Sequence, residues 1–519
     1  MSQPELARLN TGGACLEQPQ NPSQPAPLTT VVPIARTIEI QSQLPSPMQK
    51  IPVEILEIVM WEVVKDSLSL PIIRYYIDVT RMRLVCRHWT QVLEAMPAVW
   101  ANLSPSMDER LIDLALSRSI HSSLTIKGYL FLSPALDKLF QHIYRWGILD
   151  VSLERDNILD RLCESSAPLL EELSLAPTSS SPPRILFNDS APMLRVVDIR
   201  DYGVQWNSSI FSNLRELSLS NVEEDAPDVD TLLKLLSNSP QLTRLEIWYT
   251  TLTPSDSPQA RVSLPSLHSL ELHSLGQGIL KQLLESIEIP TSTTCQFTIE
   301  QNDYELTSIY EQLEPIGRRL STLAGVSRGS KSTFTLGSRQ DVLGLSIEVI
   351  YEGEAPQLGA LGVEVEGFGL NIGVVEYFAS QLGQDDPNPV PPSLHFTFRA
   401  SLGNEQELLQ RLPLHLPDTE EISIENSNAG FIGDAINTLF PRHSSRPFPR
   451  LSTLIIRKGT RGHWADGLQS RQKLQDEKGG GDPLPLKTLK IEGGSIGAKE
   501  VEGLKKLVPN LVLDGVEIE

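Results

Sequence analysis

Ser327 is the first residue whose setting could support chemistry, because residues 325–329 (GVSRG) match the G-x-S-x-G pattern of a hydrolase nucleophile. Such a nucleophile needs a sharp turn that follows a buried strand and opens a helix. The residues after Gly329 instead have a strand-like composition as far as Leu336. We therefore interpret the match as a coincidence and expect no catalytic residue at Ser327.

A glycine-rich loop and the potential metal ligands give no stronger signal. Gly367, Gly369 and Gly373 follow strand-like residues 363–365, but the last glycine is one residue late for a dinucleotide loop. The nine histidines form no HExxH or similar cluster, and the four cysteines are scattered. The cysteines are Cys15, Cys86, Cys163 and Cys295. We expect no metal site, no cofactor and no enzymatic activity.

The chain carries 65 acidic and 44 basic residues, which give a formal net charge of -21. A field of this sign repels phosphate backbones and anionic membrane surfaces, so we expect neither nucleic acid nor membrane as a partner. The sequence shows no signal-peptide pattern and no apolar run near the roughly 18 residues that a membrane helix needs. With the scattered cysteines, these features predict a cytoplasmic or nuclear protein.

Residues 1–46 are rich in proline and glutamine, and we expect them to be disordered. The helices and strands that would position functional residues begin after this stretch. Residues 47–106 read as a small helical unit, whose first helix starts near Pro52. A second helix is predicted from Asp78 to Met96, where apolar residues recur at spacings of three or four: Met82, Val85, Trp89, Val92 and Met96. Pro97 ends this helix.

A repeated pattern follows, in which one apolar residue is followed by two more, three and five residues later in the chain. Its first apolar positions are Leu170, Leu194, Leu214, Leu242 and Leu267, at intervals of 20 to 28 residues. Further copies begin at Leu451 and Leu486, and looser ones occur at 396–398 and 422–424. The L-x-L pair is typical of a strand with one buried face, and the period fits one strand plus a return segment.

These patterns predict an α+β fold overall, a small all-α module followed by an α/β solenoid in residues 107–519. Helix-like stretches such as 229–236 would cover the apolar face of the parallel sheet. We expect residues 300–390 to be irregular and residues 458–484 to form a loop.

The helical unit resembles the F-box, a module of about 50 residues that packs against a Skp-family adaptor. Residues 51–60 (IPVEILEIVM) are similar to its opening L-P-x-E-[IL]-L-x-x-[IV]-[FL], and residues 84–89 (LVCRHW) to its central L-V-C-[RK]-x-W. Residues 97–103 resemble the P-x-[LV]-W-x-x-[IL] ending that is common in fungal members. The resemblance implies that adaptor contacts, or the packing that shapes them, lie at Ile51, Pro52, Ile55, Leu56, Val59, Met60, Leu84, Val85, Cys86 and Trp89.

The repeats resemble leucine-rich repeats, which often accompany F-boxes, although the asparagine that the family places three residues after the L-x-L pair is missing. By this resemblance, a target protein would contact the middle residues of the L-x-L pairs and the aromatic residues beside them. The candidate substrate-binding residues are Trp248, Tyr249, Glu246, Glu271 and His273.

Together the two resemblances imply a substrate-recognition adaptor of an SCF-type cullin-RING ubiquitin ligase, which would hold a target protein close to a ubiquitin-loaded enzyme. Its partners would be a Skp-family adaptor and, through it, a cullin. The alternative is an F-box and repeat scaffold that binds partners without promoting their ubiquitination. The sequence does not separate these two functions.

Overall fold

The fold was examined in a computed structural model of the chain. The structure describes residues 51–153, 156–177, 182–223, 225–255, 261–276, 278–300, 306–326, 331–338, 344–352, 360–366, 372–382, 393–398, 405–425, 438–439, 448–457, 486–493, 497–514 and 516–517. Contacts between Cα atoms divide the chain into two compact units, Met1–Ile58 and Val59–Glu519. The sheet belongs to the second unit.

Three of the described helices begin after a residue whose side chain caps the first turn. Asp108, Ser133 and Asp228 each accept a hydrogen bond from a backbone N–H in the first turn of the helix that they precede. The described helices are α1 (Val53–Lys65), α2 (Ile72–Arg83), α3 (Arg87–Glu94), α4 (Glu109–Ser119), α5 (Pro134–Phe140), α6 (Asp156–Glu164), α7 (Val229–Ser237), α8 (Ile279–Ser286), α9 (Leu306–Val326), α10 (Ile372–Leu382), α11 (Glu405–Arg411) and α12 (Ala498–Lys505).

Between β2 and β7 the strands alternate with helices or with short 3-10 turns such as Leu186–Asp189 and Ser209–Phe211. The described strands are β1 (Asn102–Leu103), β2 (Leu124–Leu130), β3 (Trp146–Leu153), β4 (Glu172–Pro177), β5 (Val196–Arg200), β6 (Glu216–Ser220), β7 (Arg244–Trp248), β8 (Val262–Ser263), β9 (Ser269–His273), β10 (Ile287–Glu288), β11 (Thr294–Glu300), β12 (Lys331–Ser338), β13 (Gly344–Glu352), β14 (Leu361–Glu366), β15 (Ser393–Phe398), β16 (Glu421–Glu425), β17 (Thr453–Arg457), β18 (Thr488–Glu492), β19 (Asn510–Leu513) and β20 (Val516–Glu517).

One 18-stranded sheet contains all of these strands except β8 and β10, which pair with each other. Strands β1 to β6 each pair in parallel with the next strand, β7 pairs in parallel with β9, and β11 and β14 continue the parallel series. A second parallel series runs from β12 through β15, β16, β17 and β18 to β19. The fold is α+β, with a large and mainly parallel sheet.

The predicted L-x-L pairs are strands, and their apolar residues stack in register. Leu217 of β6 pairs with Val197 of β5 and Leu245 of β7, and all three side chains are buried. The second apolar residue of each pair, Leu219 in β6, makes an equivalent buried row. The residue between them faces the opposite side because side chains alternate along a strand. The period-2 pattern therefore places two apolar rows on the buried face.

Four strands, β5, β6, β7 and β9, are each followed by a residue whose backbone is in the left-handed conformation. Asp201, Asn221, Tyr249 and Ser274, each directly after its strand, have φ of 57°, 59°, 48° and 53°. Their backbone N–H groups donate to the carbonyls of Ser220, Trp248, His273 and Thr298, at 2.9, 2.8, 3.1 and 2.9 Å respectively. The Nδ2 of Asn221 also donates to Oδ1 of Asp201 at 2.7 Å. Backbone hydrogen bonds therefore join each of these turns to the neighbouring strand.

Residues 300–390, which were expected to be irregular, contain the change in strand direction. Strand β13 lies between β12 and β14 and is antiparallel to both. It thereby separates the two parallel series. The antiparallel partners explain why no clean repeat is visible there, since β12 and β13 are consecutive strands without an intervening described helix.

The predicted helix from Asp78 to Met96 is wrong, because the chain forms two helices there. Helix α2 ends at Arg83, and Cys86 is extended, with φ of -163° and ψ of 166°. The hydroxyl of Thr90 donates to the carbonyl of Arg83 at 2.6 Å and so satisfies an acceptor that a continuous helix would have used internally. Val85 lies in this break, where its side chain is exposed.

Other predicted features lie wholly or partly outside the described residues. The proline-rich stretch 1–46 and the loop 458–484 lie outside them. The boundary between a helical module ending at 106 and a repeat domain stays a prediction, although β1, at 102–103, already pairs with β2. Among the helices that the structure describes, none is long and apolar enough to cross a bilayer.

Leu217 tests the role of the buried rows. Because its side chain is only 1% exposed, Leu217→Ala should leave a cavity and lower the free energy of unfolding by about 2–5 kcal/mol. The neighbouring Ser218→Ala, on the opposite face, should change it by less than about 0.5 kcal/mol. Urea denaturation of both variants measures the difference, and equal effects would contradict the assignment of faces.

Candidate functional site

Helix α1 carries apolar side chains on two faces. One set is buried, at 0–1% exposure, and the other is roughly half exposed. The buried set is Leu56, Met60 and Val64, and the exposed set is Ile55, Val59 and Val63, at 51%, 47% and 54%. Both sets recur every four residues, so each occupies one side of the helix. Exposed apolar side chains at this spacing are typical of a protein-binding surface.

The break between α2 and α3 exposes two further apolar side chains. Leu84 is 80% exposed and Val85 is 58% exposed. On α2, Ile73 and Ile77 are exposed at 63% and 40%. The buried side of the same helix carries Tyr75, Tyr76, Val79 and Met82. Leu84 follows Ile77 by seven residues, so it continues the same side of the helix. Ile73, Ile77 and Leu84 therefore form a line of exposed apolar side chains along one side of α2.

The interior of this helical region is anchored by Trp100, which is 1% exposed. Its Nε1 donates to the carbonyl of Leu93 at 2.8 Å, so Trp100 is a core residue. The guanidinium groups of Arg83 and Arg118 lie 5.7 and 5.0 Å from its ring centroid. Glu94 bridges both cations, at 2.7 Å to Arg83 and 3.0 Å to Arg118. The pKa of Glu94 is lowered mainly by the hydrogen bond that its carboxylate accepts from Arg118.

The ten predicted adaptor-binding residues divide into accessible and buried positions. Pro52, Ile55, Val59, Leu84, Val85 and Cys86 are exposed, and Ile51 and Trp89 are half-buried. Leu56 and Met60 are buried, so they can shape the surface but cannot contact a partner directly. The indole Nε1 of Trp89 has no hydrogen-bond partner within the described ranges.

The predicted substrate-binding residues come together on adjacent strands. Glu246 and Trp248 of β7 pair in register with Glu271 and His273 of β9. Tyr249 follows Trp248 directly and is 47% exposed. All but Tyr249 are strand residues of the face opposite the buried leucines, so the parallel pairing brings the four of them side by side.

A shared cation links the two glutamates. A guanidinium nitrogen of Arg244 forms an ion pair with Glu246 and lies 3.7 Å from Oε1 of Glu271. Burial and the neighbouring Glu246 carboxylate raise the pKa of Glu271. Two carboxylates that share one arginine keep a net negative charge, which a further cation from a ligand would neutralise.

The aromatic residues of this group support one another. The rings of Trp248 and His273 are stacked, with centroids 3.7 Å apart and an interplanar angle of 22°. His273 is 5% exposed, and its Nδ1 lies 2.6 Å from the hydroxyl of Thr298. His273 therefore holds the indole in place, while the half-buried Trp248 and the exposed Tyr249 present ring surface. At Tyr249 the left-handed backbone, with φ of 48°, is unusual for an aromatic residue.

The remaining chemical motifs gain no support from their surroundings. Helix α9 precedes Ser327 and β12 follows it, which is the reverse of the strand-turn-helix order of a nucleophile elbow. Ser327 itself lies outside the described residues. Within the described part of the chain, no group of three or more His, Cys, Asp or Glu side chains is arranged to hold a metal ion.

Sequence reasoning missed several residues of both surfaces. Val63, Ile73 and Ile77 lie outside the three blocks that resemble the F-box. The sequence offered one signal for them, since Val63 follows Val59, and Ile77 follows Ile73, at a spacing of four residues. Arg244 was missed because it precedes the first leucine of its L-x-L pair, and only the sheet register brings it to Glu271.

Comparisons of the chain with protein-family models, curated proteins and solved structures find no match in any of the three. The arguments about function therefore come from the residues and their geometry.

Glu94 provides a test of the helical core. A carboxylate with a lowered pKa stabilises the folded state above its unfolded pKa of about 4.3, and this stabilisation is lost as the pH falls through the folded pKa. Glu94→Gln should therefore lower the free energy of unfolding at pH 7, by up to about 1 kcal/mol for a partly exposed network.

The difference from the wild type should shrink as the pH falls below the usual glutamate pKa of about 4.3. Urea denaturation across this pH range measures it. Glu311→Gln, on the exposed side of α9, serves as a control that should show no such pH-dependent difference. A constant deficit for Glu94→Gln at every pH would contradict the electrostatic role.

Proposed function

We propose that this chain is an F-box-type substrate-recognition adaptor of an SCF-type cullin-RING ubiquitin ligase. In this proposal the helical region binds a Skp-family adaptor, and the sheet region, a leucine-rich-repeat-like solenoid, binds a target protein. The observation that carries the proposal is the exposure of Leu84 and Val85, at 80% and 58%, inside the L-V-C-R-x-W segment that resembles the F-box.

The exposed apolar side chains argue against a helical unit that only completes its own core. Fully burying a leucine or valine side chain contributes about 1.5–3 kcal/mol, so several of them left in water represent a large unused contribution. Val59 and Val63 on α1 are exposed to water in the same way as Leu84 and Val85. A partner that covered them would recover that contribution, as expected for an interface core.

The regular strand pairing of the sheet supports the proposal that this region binds a target protein. Strands β2 to β7 present one row of side chains after another on the face opposite the buried leucines. A rigid sheet positions such side chains more accurately than loops would. The chain would then act as a tether, which raises the local concentration of a target at the ligase without performing bond chemistry itself.

An F-box and repeat scaffold without a role in ubiquitination is the second candidate, because both functions use the same two surfaces. The fate of the bound protein separates them. If the chain is a ligase adaptor, a proteasome inhibitor should increase the amount of its bound target. A scaffold should retain the same amount of partner with and without the inhibitor.

The adaptor surface can be tested with a charge-introducing double variant. Leu84→Asp/Val85→Asp should reduce the capture of a Skp-family adaptor by the tagged full-length chain at least about tenfold, because burying two carboxylates in an apolar interface costs well over 1.4 kcal/mol. Affinity purification from cells, with mass spectrometry of the co-purifying proteins, measures the loss.

Leu132→Asp/Leu414→Asp is the matched control, since it also introduces two aspartates in place of exposed aliphatic side chains, at 47% and 76% exposure. Val59→Asp/Val63→Asp makes the corresponding test on the exposed side of α1. Thermal unfolding of each variant establishes that the fold persists. Equal adaptor capture by wild type and all variants, or no adaptor with the wild type, would contradict the proposal.

A further inference from the structure

The outward face of the sheet is the side opposite the buried leucine rows. It carries more acidic than basic side chains. From β2 to β9 the central row reads Lys127, Asp150, Ser174, Asp198, Ser218, Glu246 and Glu271. On one side of this row the register places Glu172, Glu216 and Arg244, and on the other side Arg200. Six carboxylates therefore share this face with three cations.

The cations of this face are already engaged. Lys127 lies 3.6 Å from Asp150, Arg200 forms an ion pair with Asp198, and Arg244 is held between Glu246 and Glu271. Within the described residues, neither Glu172 nor Glu216 forms an ion pair, although the Glu216 carboxylate is near enough to Arg244 to help raise the pKa of its guanidinium. The face thus attracts positive charge, and its own basic side chains do not cancel the excess.

Aromatic rings lie beside the carboxylates on β7 and β9. Trp248 is two residues from Glu246 on the same face, and His273 supports its indole ring. Guanidinium and ammonium groups bind well where a ring face and a carboxylate are adjacent, because both interactions favour a cation. Trp248 provides the face and Glu246 or Glu271 the charge.

We propose that the outward face of β4, β5, β6, β7 and β9 binds a basic, extended segment of the partner protein, with Trp248, Glu246 and Glu271 at the centre of the contact. This inference rests on the proposed function and names the chemical class of the segment that the sheet recognises. Four strand spacings of about 4.8 Å make about 19 Å, which an extended peptide of about six residues spans. The face therefore fits a short linear motif rich in arginine and lysine.

A labelled peptide tests this inference directly. The probe is a fluorescein-labelled 12-residue peptide of alternating arginine and serine, and the comparison probe has glutamate in place of each arginine. Fluorescence anisotropy with the full-length chain measures binding of both. We expect the arginine peptide to bind with an affinity that falls as salt is raised, and the glutamate peptide to show no binding.

Three variants locate the binding. Glu246→Gln/Glu271→Gln and Trp248→Ala should each weaken binding of the arginine peptide by about tenfold, which is the effect of losing about 1.4 kcal/mol. Because both glutamates contact Arg244, the first variant could alter the local packing. Glu172→Gln/Glu216→Gln, at two carboxylates without such contacts, should weaken binding by several-fold and leave the melting temperature unchanged.

The matched control is Glu164→Gln/Glu311→Gln, which removes the same number of charges from exposed positions on α6 and α9. It should bind the arginine peptide as the wild type does. Equal weakening by this control and by the sheet variants would show attraction to the net charge of -21 alone and would overturn the inference. Binding of the glutamate peptide, or no binding of either peptide, would also overturn it.

The same preparations separate this inference from the proposed function. Capture of a Skp-family adaptor depends on the helical surface and not on the sheet face. Adaptor capture without arginine-peptide binding would refute the inference and leave the proposed function intact. Peptide binding without adaptor capture would refute the ligase role and leave the sheet face as a binding site for basic segments.

Discussion

The in-register parallel pairing of two apolar rows is the constraint on which the rest of the structure depends. Leu217 and Leu219 of β6 pair with apolar residues on both neighbouring strands, and every one of these side chains is buried. A shift of one residue in any pair would turn its leucines toward solvent, so hydrophobic burial determines the register. The left-handed residues after β5, β6, β7 and β9 then join successive turns through backbone hydrogen bonds.

The register, in turn, decides what lies on the outward face. The middle residue of each L-x-L pair has no role in the core, so its chemistry is free to vary from strand to strand. In β5, β7 and β9 it is Asp198, Glu246 and Glu271, and these residues form part of one row. The same alternation that builds the core therefore gathers the carboxylates and the Trp248–His273 stack into one surface, which we interpret as the site for a basic segment.

The helical region follows a different rule, because it presents apolar residues on its outside as well as in its core. Trp100 and the Glu94 bridge between Arg83 and Arg118 hold the interior, and the break after Arg83 leaves Leu84 and Val85 in solvent. A stable interior next to exposed apolar side chains is the combination that a docking module requires. It supports the proposal that one end of the chain binds an adaptor and the sheet binds a target.

The sequence alone determined the local periodicities: the L-x-L strands, helix α7, and the mixed α+β composition with parallel strands, because alternation and helical spacing are properties of neighbouring residues. It also indicated Glu246, Trp248, Glu271 and His273 as a group, since each stands at a set place in its repeat. Only the tertiary structure decided that α2 and α3 are separate, that β13 reverses direction between two parallel series, and that Arg244 lies between two glutamates. These features depend on contacts between residues distant in the chain, where burial and pairing outweigh local propensity.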